Sequence, residues 1–504
     1  MAKYLYGAAV QGIQAFIFQT NKLQEIVGAS ELVEQICTSK FWAVAGVNQS
    51  DQNIILNAAG NIKYIFEDEN RCREFVQKFP KAVMEMAPGI TISQAVVKYE
   101  EGNLNDSLQK LEDKLREQRN KIPVSFEVGF MGTERSRRTG GVAKEPNPLP
   151  KEDELIDEAT LKKLSERNSR KLFENISGLK DFRTDDLLFN TDDLKGSWMA
   201  VVHADGNGLG TIIQNLNDTL KNKTDNQVKN AFKTFSKNLD EATKSAAQKA
   251  FEEVGIKKVG GVFPLRPIIL GGDDLTIIIS SGMALEFTQK FLMEFERQTE
   301  NKFSFLKNEY QILEFEKGIT ACAGIAYVKK SYPFHYAVDL AEKLCSDAKN
   351  FVKGNTKDYE NYHPEMNGLI PKSALAFFKV QDSFIESSLS TMKKRVANAK
   401  GYDFNYGPYL IHPEEGFADV GELTAKLKLV DKFEKETVGK GESKGISKLR
   451  RWITEVYKGK VTADFFLDRM EVVNEDFFKE MKPRDLKNDK SIIYDVIQLN
   501  SLKN

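Results

Sequence analysis

Three acidic residues are the first candidates for chemistry in this sequence. Asp205 ends an apolar run, and Asp273 and Asp274 close the tetrapeptide Gly-Gly-Asp-Asp between two further apolar runs. Clustered carboxylates bind Mg²⁺ or Mn²⁺, because a dication relieves the repulsion between like charges. Two such ions can activate a 3′-hydroxyl and hold a leaving pyrophosphate during an in-line displacement at phosphorus. We therefore predict that Asp205, Asp273 and Asp274 are catalytic metal ligands.

Glycines and one lysine extend this candidate site. Gly206, Gly208 and Gly210 leave bare backbone between Asp205 and the next helix, where N–H groups can receive a triphosphate. Lys349 follows on a later helix and is placed to reach the β- or γ-phosphate as a point charge. Singly, each feature has an ordinary explanation, namely a hairpin tip, an Asp-Gly turn and a solvated lysine. Their joint occurrence at the expected elements of one fold favours the catalytic interpretation.

The elements around these residues follow the order β-α-β-β-α-β, which is the ferredoxin-like layout. The apolar runs predict strands and the amphipathic runs predict helices. The predicted strands are 197–210, 264–270, 275–280 and 318–328, and the predicted helices end near Glu253, span 282–298 and follow residue 336. In such a sheet the first strand is central and neighbours the third, so Asp205 and the Asp273–Asp274 tip should converge at one edge.

The N-terminal part repeats the same order without the carboxylates. Strand 3–12, a helix over 21–36, a hairpin over 54–66 and strand 91–99 form this first unit. Aligned with the second unit, Gly60 and Asn61 fall on Asp273 and Asp274, and Ala9 takes the place of the strand-borne Asp205. Any hairpin favours Gly and Asn at its tip, but the shared element order makes an internal duplication the better interpretation.

Composition describes a globular chain of several domains. The sequence has 504 residues, 41% of them hydrophobic, and a formal net charge of -1. This charge provides no general positive field for nucleic acid, so an RNA partner would need a local basic patch. The four cysteines form no C-x-x-C pair, and no apolar run approaches the ~18 to 20 residues of a membrane span. We expect a cytoplasmic protein without a membrane partner.

The predicted fold class is α+β, with two ferredoxin-like units and a helical C-terminal domain. The Gly-, Pro- and charge-rich segment 134–154 predicts a linker, and 161–176 predicts a bridging helix. Beyond about residue 360 the strand pattern fades and helices are predicted. The predicted domains are a degenerate first unit, a linker, a catalytic second unit and a mainly helical domain, at 1–130, 131–195, 196–360 and 361–504.

Several of these motifs resemble a known family, the polymerase-like large subunit of type III CRISPR effector complexes, which joins ATP into cyclic oligoadenylates. The resemblance rests on ADGNGLG (204–210), GGDDL (271–275) and residues 321–349, and on the N-terminal segment 10–36. GGDEF cyclases share this palm domain but lack the N-terminal duplicate. The family comparison implies two palm domains that face each other, with one ATP presenting its 3′-hydroxyl to the α-phosphate of the other.

The resemblance also implies roles for individual residues. Asp205, Asp273, Asp274 and Gly206 would hold two Mg²⁺ or Mn²⁺ ions, and Gly28 and Ser30 would line the second nucleotide site. The remaining implied ATP-binding residues are Gly206, Asn207, Gly208, Gly210, Gly271, Gly272 and Lys349.

Two departures from the family limit what is carried over. Relatives often have an N-terminal His-Asp nuclease domain and a cysteine zinc motif, and this sequence contains neither, so we expect a short form without DNA cleavage. The favoured hypothesis is a nucleotidyltransferase that makes cyclic or short oligoadenylates in antiviral defence. The alternative is an ATP-binding scaffold subunit of an RNA-guided complex, dominated by contacts with RNA and other subunits. A stand-alone cyclase and a homo-oligomer both stay open.

Overall fold

The two repeated units fold around separate sheets. The computed structural model describes residues 3–58, 60–121, 132–149, 152–312, 318–354, 370–381, 388–399, 402–437, 445–483 and 490–502. No helix within these ranges is both long and apolar enough to cross a bilayer.

The first unit is a four-stranded antiparallel sheet with helices packed on both faces. Its order, β2-β3-β1-β4, puts the buried strand β1 in the middle. The elements are β1 (Lys3–Gln11), α1 (Ile13–Ile17), α2 (Leu23–Gln35), α3 (Phe41–Ala45), β2 (Ile54–Ala58), β3 (Asn61–Phe66), α4 (Glu69–Met86), β4 (Thr91–Tyr99) and α5 (Leu104–Arg119). The order is ferredoxin-like, as predicted.

The connection to the second unit contains β5 (Ala143–Pro146), β6 (Leu155–Asp157), α6 (Glu158–Ser165) and α7 (Lys171–Ser177). The single helix predicted over 161–176 is therefore wrong. The chain leaves helical geometry at the polar residues between α6 and α7, which include Asn168 and Ser169. Such side chains hydrogen-bond nearby backbone and favour turns over helix interiors.

The second unit repeats the order of the first. Its elements are β7 (Trp198–Gly206), α8 (Leu209–Thr219), α9 (Asp225–Glu253), β8 (Leu265–Gly271), β9 (Asp274–Ser280), α10 (Ser281–Lys302), α11 (Ser304–Tyr310), β10 (Ala321–Lys329) and α12 (Phe334–Val352). Within its six-stranded sheet, the neighbours β10-β7-β9-β8 match β4-β1-β3-β2 of the first unit. The predicted α+β class and the two ferredoxin-like sheets are confirmed.

The sheet of the second unit continues beyond residue 360, which corrects the expectation that strands end there. The C-terminal part contains β11 (Ala374–Lys379), α13 (Leu389–Ala397), β12 (Asn398–Ala399), β13 (Tyr402–Asp403), β14 (Tyr409–Leu410), α14 (Val420–Thr437), α15 (Gly445–Lys458), α16 (Lys460–Val473), α17 (Glu475–Met481) and α18 (Ile493–Asn500). Strand β11 pairs in parallel with β10, from Cys322 opposite Ala374 onward, and β14 pairs with β11. Pairing satisfies the backbone groups that β10 would otherwise leave at an open edge. The remainder of this part is mainly helical, as predicted.

The two units are joined by specific hydrogen bonds. The Asp225 carboxylate, at the start of α9, accepts hydrogen bonds from the backbone N–H groups of Gly102 and Leu104 at 2.9 and 3.0 Å. The Ser30 hydroxyl of α2 donates to the backbone oxygen of Ile268 in β8. The first unit is thereby fixed against both the helical side and the edge strand of the second.

A continuous apolar core also crosses the boundary between the units. Leu5 and Ile65 of the first sheet belong to the same buried cluster as Ala200 and Val202 of β7. Burial of apolar surface is the main favourable contribution to folding, so each unit stabilises the other through this shared core.

Candidate active site between the two units

Three carboxylates meet at one end of the second sheet. Asp205 is the penultimate residue of β7, Asp273 lies in the turn, and Asp274 begins β9. Strands β7 and β9 are paired up to Ala204 opposite Leu275, which brings the turn beside Asp205. One ligand oxygen from each of the three carboxylates lies within 4.8 Å of the others. The structure therefore brings together the three residues that the sequence predicts as metal ligands.

The negative charges of the three carboxylates repel one another, and burial and this repulsion raise the pKa values of two of them. Burial raises the pKa of Asp273 well above its ordinary value, and the hydrogen bond with Asp205 adds to this rise. Burial also raises the pKa of Asp274, together with the charges of Asp273 and Asp205. Burial would raise the pKa of Asp205 too, but the Lys349 ammonium and the hydrogen bond with Asp273 together hold this pKa below its ordinary value. Three half-buried carboxylates that resist joint ionisation form a site whose donors and charge suit a divalent cation.

Lys349 reaches the carboxylate cluster from α12. Its ammonium donates hydrogen bonds to Oδ2 of Asp205 and, at 2.8 Å, to the backbone oxygen of Gly206. Its side chain is only 19% exposed, so it is not part of a solvated helix face. The structure thus places Lys349 in the site, with Asp205 as its partner.

The glycines after Asp205 have different surroundings. A methyl group built on Gly206 would lie 2.9 Å from Cβ of Asp273, so this position keeps the two acidic segments in close contact. Gly208 adopts φ +73° immediately before α8, a conformation that L side chains rarely adopt. A methyl group on Gly210 would meet nothing within 4 Å. The site therefore requires glycine at the first two positions for steric reasons, and not at the third.

Asn207 faces into the fold. Its side chain is buried and donates to Oγ1 of Thr320 at 3.0 Å and to the backbone oxygen of Lys372 at 3.4 Å. Its backbone N–H donates to the Thr320 oxygen at 2.8 Å. These bonds fasten the loop after Asp205 to the segments before β10 and β11, so Asn207 supports the loop instead of facing a cavity.

A buried threonine of α9 binds the backbone of the Gly271–Gly272 turn. Gly272 has φ +61°, as the turn requires, and its backbone oxygen accepts a hydrogen bond of 2.5 Å from Oγ1 of Thr243. Thr243 is fully buried in the middle of α9. The sequence analysis missed both Thr243 and Thr320, because an isolated threonine carries no local signal of the distant backbone group that it binds.

Two cavities flank the Asp273–Asp274 tip, and both are lined by residues from each unit. The first, of about 460 Å³, contains Asp273. It is also lined by Asn61, Lys63, Glu112, Leu209, Asn217, Phe232, Phe235, Ser236 and Asp240. The second, of about 470 Å³, contains Asp274, Gly271, Gly12 and Gly60. Asp273 therefore lines one cavity and Asp274 the other, so a small molecule in either cavity could reach one of these carboxylates.

The two predicted residues of α2 differ in their positions. Ser30 lines the cavity that contains Asp274. Gly28 does not line either cavity, since a methyl group built there would lie 1.7 Å from the backbone oxygen of Lys163 in α6. Gly28 permits close packing of two helices, and its expected place in a nucleotide site is not supported by the structure.

The first unit has the same local geometry without the carboxylates. Ala9 pairs with Asn61 across β1 and β3, beside the turn that contains Gly60. Gly12 precedes α1 with φ +64°, as Gly208 precedes α8 with φ +73°. The duplicated strand-glycine-helix arrangement is therefore present, while the described part of its tip offers no acidic group.

Comparison with known proteins supports the predicted family. Residues 198–358 match the family model of the second palm domain of Cas10/Cmr2. This part of the chain is similar to a Cas10-type palm domain, and the resemblance to the large subunit of type III CRISPR effector complexes is confirmed. No curated protein sequence matches the chain.

Solved structures support the same fold. A chain of the Csm1–Csm4 cassette in complex with cA3 is 14% identical with a TM-score of 0.51, over 99% of this chain and 69% of that chain. A chain of the cassette in complex with AMPPNP is 15% identical with a TM-score of 0.43, over 69% of this chain and 53% of that one. This chain thus spans little more than half of the latter relative. At such identity the first match indicates a shared fold.

Proposed function

We propose that this protein is a Mg²⁺- or Mn²⁺-dependent nucleotidyltransferase that joins ATP into cyclic or short oligoadenylates. The observation that carries the proposal is the position of Asp205, Asp273 and Asp274 between two cavities that both units line. A reaction between two nucleotides needs a metal site with a substrate on each side of it.

The proposed ligands of two ions are the three carboxylates and the backbone oxygen of Gly206. Bound there, the ions would supply activation of a 3′-hydroxyl and neutralisation of the leaving pyrophosphate. Lys349 now satisfies Asp205 and the Gly206 oxygen, which are proposed metal ligands. With ions bound to these oxygens, the Lys349 ammonium would be free to bind the β- or γ-phosphate. The backbone around Gly208, at the start of α8, would receive the triphosphate.

Each cavity would hold one nucleotide. In the cavity with Asp273, Phe232 and Phe235 offer apolar surface for a purine, and Asn217 and Ser236 offer polar groups for its edge. In the cavity with Asp274, Ser30 comes from the first unit. The degenerate first unit would thus complete the second nucleotide site without binding metal itself.

We also propose the complex in which this protein acts. A palm domain of the Cas10/Cmr2 type and the fold shared with a chain of a Csm1–Csm4 cassette support a subunit of a type III CRISPR effector complex in cytoplasmic antiviral defence. We propose assembly with other effector subunits and RNA, with the first palm ending near residue 130 and the catalytic palm beginning near residue 196. Gel filtration with a recombinant partner subunit and RNA would distinguish this assembly from a stand-alone cyclase.

The test is ATP turnover by the purified full chain with Mn²⁺ or Mg²⁺, alone and within the reconstituted effector complex, with products identified by mass spectrometry. We expect oligoadenylates from the wild type. The variant Asp273→Ala with Asp274→Ala should lose several orders of magnitude in rate, because the charges that hold the dications are removed.

A matched control removes two exposed carboxylates elsewhere, Asp192→Ala with Asp193→Ala. This variant should keep the wild-type rate. Near-wild-type product formation by the Asp273/Asp274 variant would refute the assignment of the site. ATP binding without turnover in either preparation of the wild type would instead support the ATP-binding scaffold subunit.

A further inference from the structure

The first unit contributes a cation to the cavity that contains Asp273. Lys63 lies in β3, two residues after Asn61, and residues at this spacing share one face of a strand. Both side chains line the cavity of about 460 Å³. Among the described residues that line this cavity, Lys63 is the only lysine or arginine.

The same cavity is rich in negative charge. Glu112 of α5 and Asp240 of α9 line it together with Asp273. Asp240 has its own partner, Lys244, one turn further along α9. A polyanion such as a nucleotide would enter against these carboxylates, so a cation within the cavity would favour its binding.

Lys63 has an ion-pair partner that a phosphate group could replace. Its ammonium forms an ion pair with Glu112, and the two side chains are 20% and 38% exposed. Ion pairs with this much solvent access contribute little net stability, so opening this one has a small cost. A charge-assisted contact to phosphate is stronger than such an exposed ion pair.

We propose that Lys63 binds a phosphate group of the nucleotide in this cavity, and that Glu112 holds Lys63 in place until the nucleotide arrives. The inference rests on the proposed function and adds a residue from the unit that has lost its carboxylates. The first unit then supplies charge to the reacting nucleotides as well as a wall of the site.

The alternative is a salt bridge that only stabilises the contact between β3 and α5. The two explanations predict different effects of neutralising Glu112 on nucleotide binding. Removing either partner breaks a structural salt bridge equally. If Lys63 binds phosphate, its removal weakens nucleotide binding, whereas neutralising Glu112 frees Lys63 and strengthens binding.

The experiment measures dissociation constants of a non-hydrolysable ATP analogue and of adenosine by calorimetry with Mg²⁺. It uses the full chain as wild type, Lys63→Met, Glu112→Gln and the control Lys114→Met. Lys114 is two residues from Glu112 on α5, is exposed, and donates a hydrogen bond of 3.1 Å to the backbone oxygen of Val96.

We expect Lys63→Met to weaken binding of the ATP analogue about 10- to 150-fold and to leave adenosine binding unchanged. Glu112→Gln should strengthen binding of the analogue up to about fivefold, and Lys114→Met should change neither constant. Unchanged adenosine binding also establishes that the variants are folded.

Equal or same-direction effects of Lys63→Met and Glu112→Gln would overturn the inference, as would an equal loss of adenosine and analogue binding in Lys63→Met. These outcomes leave the proposed function intact as long as the wild type binds the analogue. A wild type that binds no ATP analogue, alone or in the reconstituted complex, would overturn both proposals.

Discussion

Replacing Gly206 by alanine tests whether the close contact between the two acidic segments is needed for activity. The added methyl group would lie 2.9 Å from Cβ and 3.0 Å from Oδ2 of Asp273, and 3.1 Å from a methyl carbon of Leu209. Carbon atoms pack at about 3.5 to 4.0 Å, so Asp273 must move by several tenths of an ångström. Overpacking of this kind costs about 1–3 kcal/mol, which a chain of this size can tolerate.

Activity should be more sensitive than stability. A displacement approaching 1 Å at a reacting group can cost about 100-fold in rate, so we expect Gly206→Ala to lose turnover by about this factor. Gly282→Ala is the matched control, because Gly282 lies outside the proposed site and a methyl group there meets nothing within 4 Å. In α10 it should raise stability by up to about 1 kcal/mol through helix propensity.

The assay combines Mn²⁺ titration by calorimetry, ATP turnover and thermal unfolding of both variants. We expect Gly206→Ala to unfold cooperatively while binding Mn²⁺ more weakly than the wild type. We expect Gly282→Ala to match the wild type in Mn²⁺ binding and in turnover. Wild-type Mn²⁺ affinity and turnover in Gly206→Ala would refute the reasoning, because the steric conflict would then have been relieved without moving Asp273.

Three further predictions concern other parts of the structure. Lys349→Met should weaken ATP binding by about 10- to 150-fold, measured by calorimetry, and an unchanged dissociation constant would contradict a role at the phosphates. Gly28→Ala should lower the unfolding temperature, because the new methyl group meets the backbone of Lys163, and an unchanged temperature would contradict this close packing. Burial raises the pKa of Asp495 to about 7, while its hydrogen bond from Tyr409 opposes the rise. The stability that protonated Asp495 contributes is present at low pH and is lost as the pH rises through about 7. Asp495→Asn should therefore reduce the pH dependence of the free energy of unfolding between pH 5 and 8. An identical pH dependence in the variant would contradict the raised pKa.

The parts of the site that follow from sequence are those with strong local patterns. Apolar runs that end in Asp205 and in the Gly-Gly-Asp-Asp turn specify paired strands, and strand order then brings the carboxylates together. The role of Lys349 in the site could also be anticipated, because helical periodicity fixes which residues of α12 face the sheet.

The features that could not be predicted from the sequence depend on contacts between distant segments of the chain. Gly28 lies in the segment 10–36 on which the resemblance at the N-terminus rests, yet its environment depends on α6, more than a hundred residues away. Strand β11 was missed because its six residues, Ala374–Lys379, are recognisable only through the edge of β10 that they cover. Asn207 likewise turns inward because Thr320 and the backbone of Lys372 meet it there.

The apolar core that crosses between the two units bears on how an inactive copy persists after duplication. Leu5 and Ile65 pack in the same cluster as Ala200 and Val202, so removing the first unit would uncover the interior of the second. Selection can then act on the two copies differently. Ala9, Gly60 and Asn61 lie outside this cluster, whereas a mutation at one of the packed positions affects both units at once. Under the proposed function, a minimal catalytic fragment would therefore include both units.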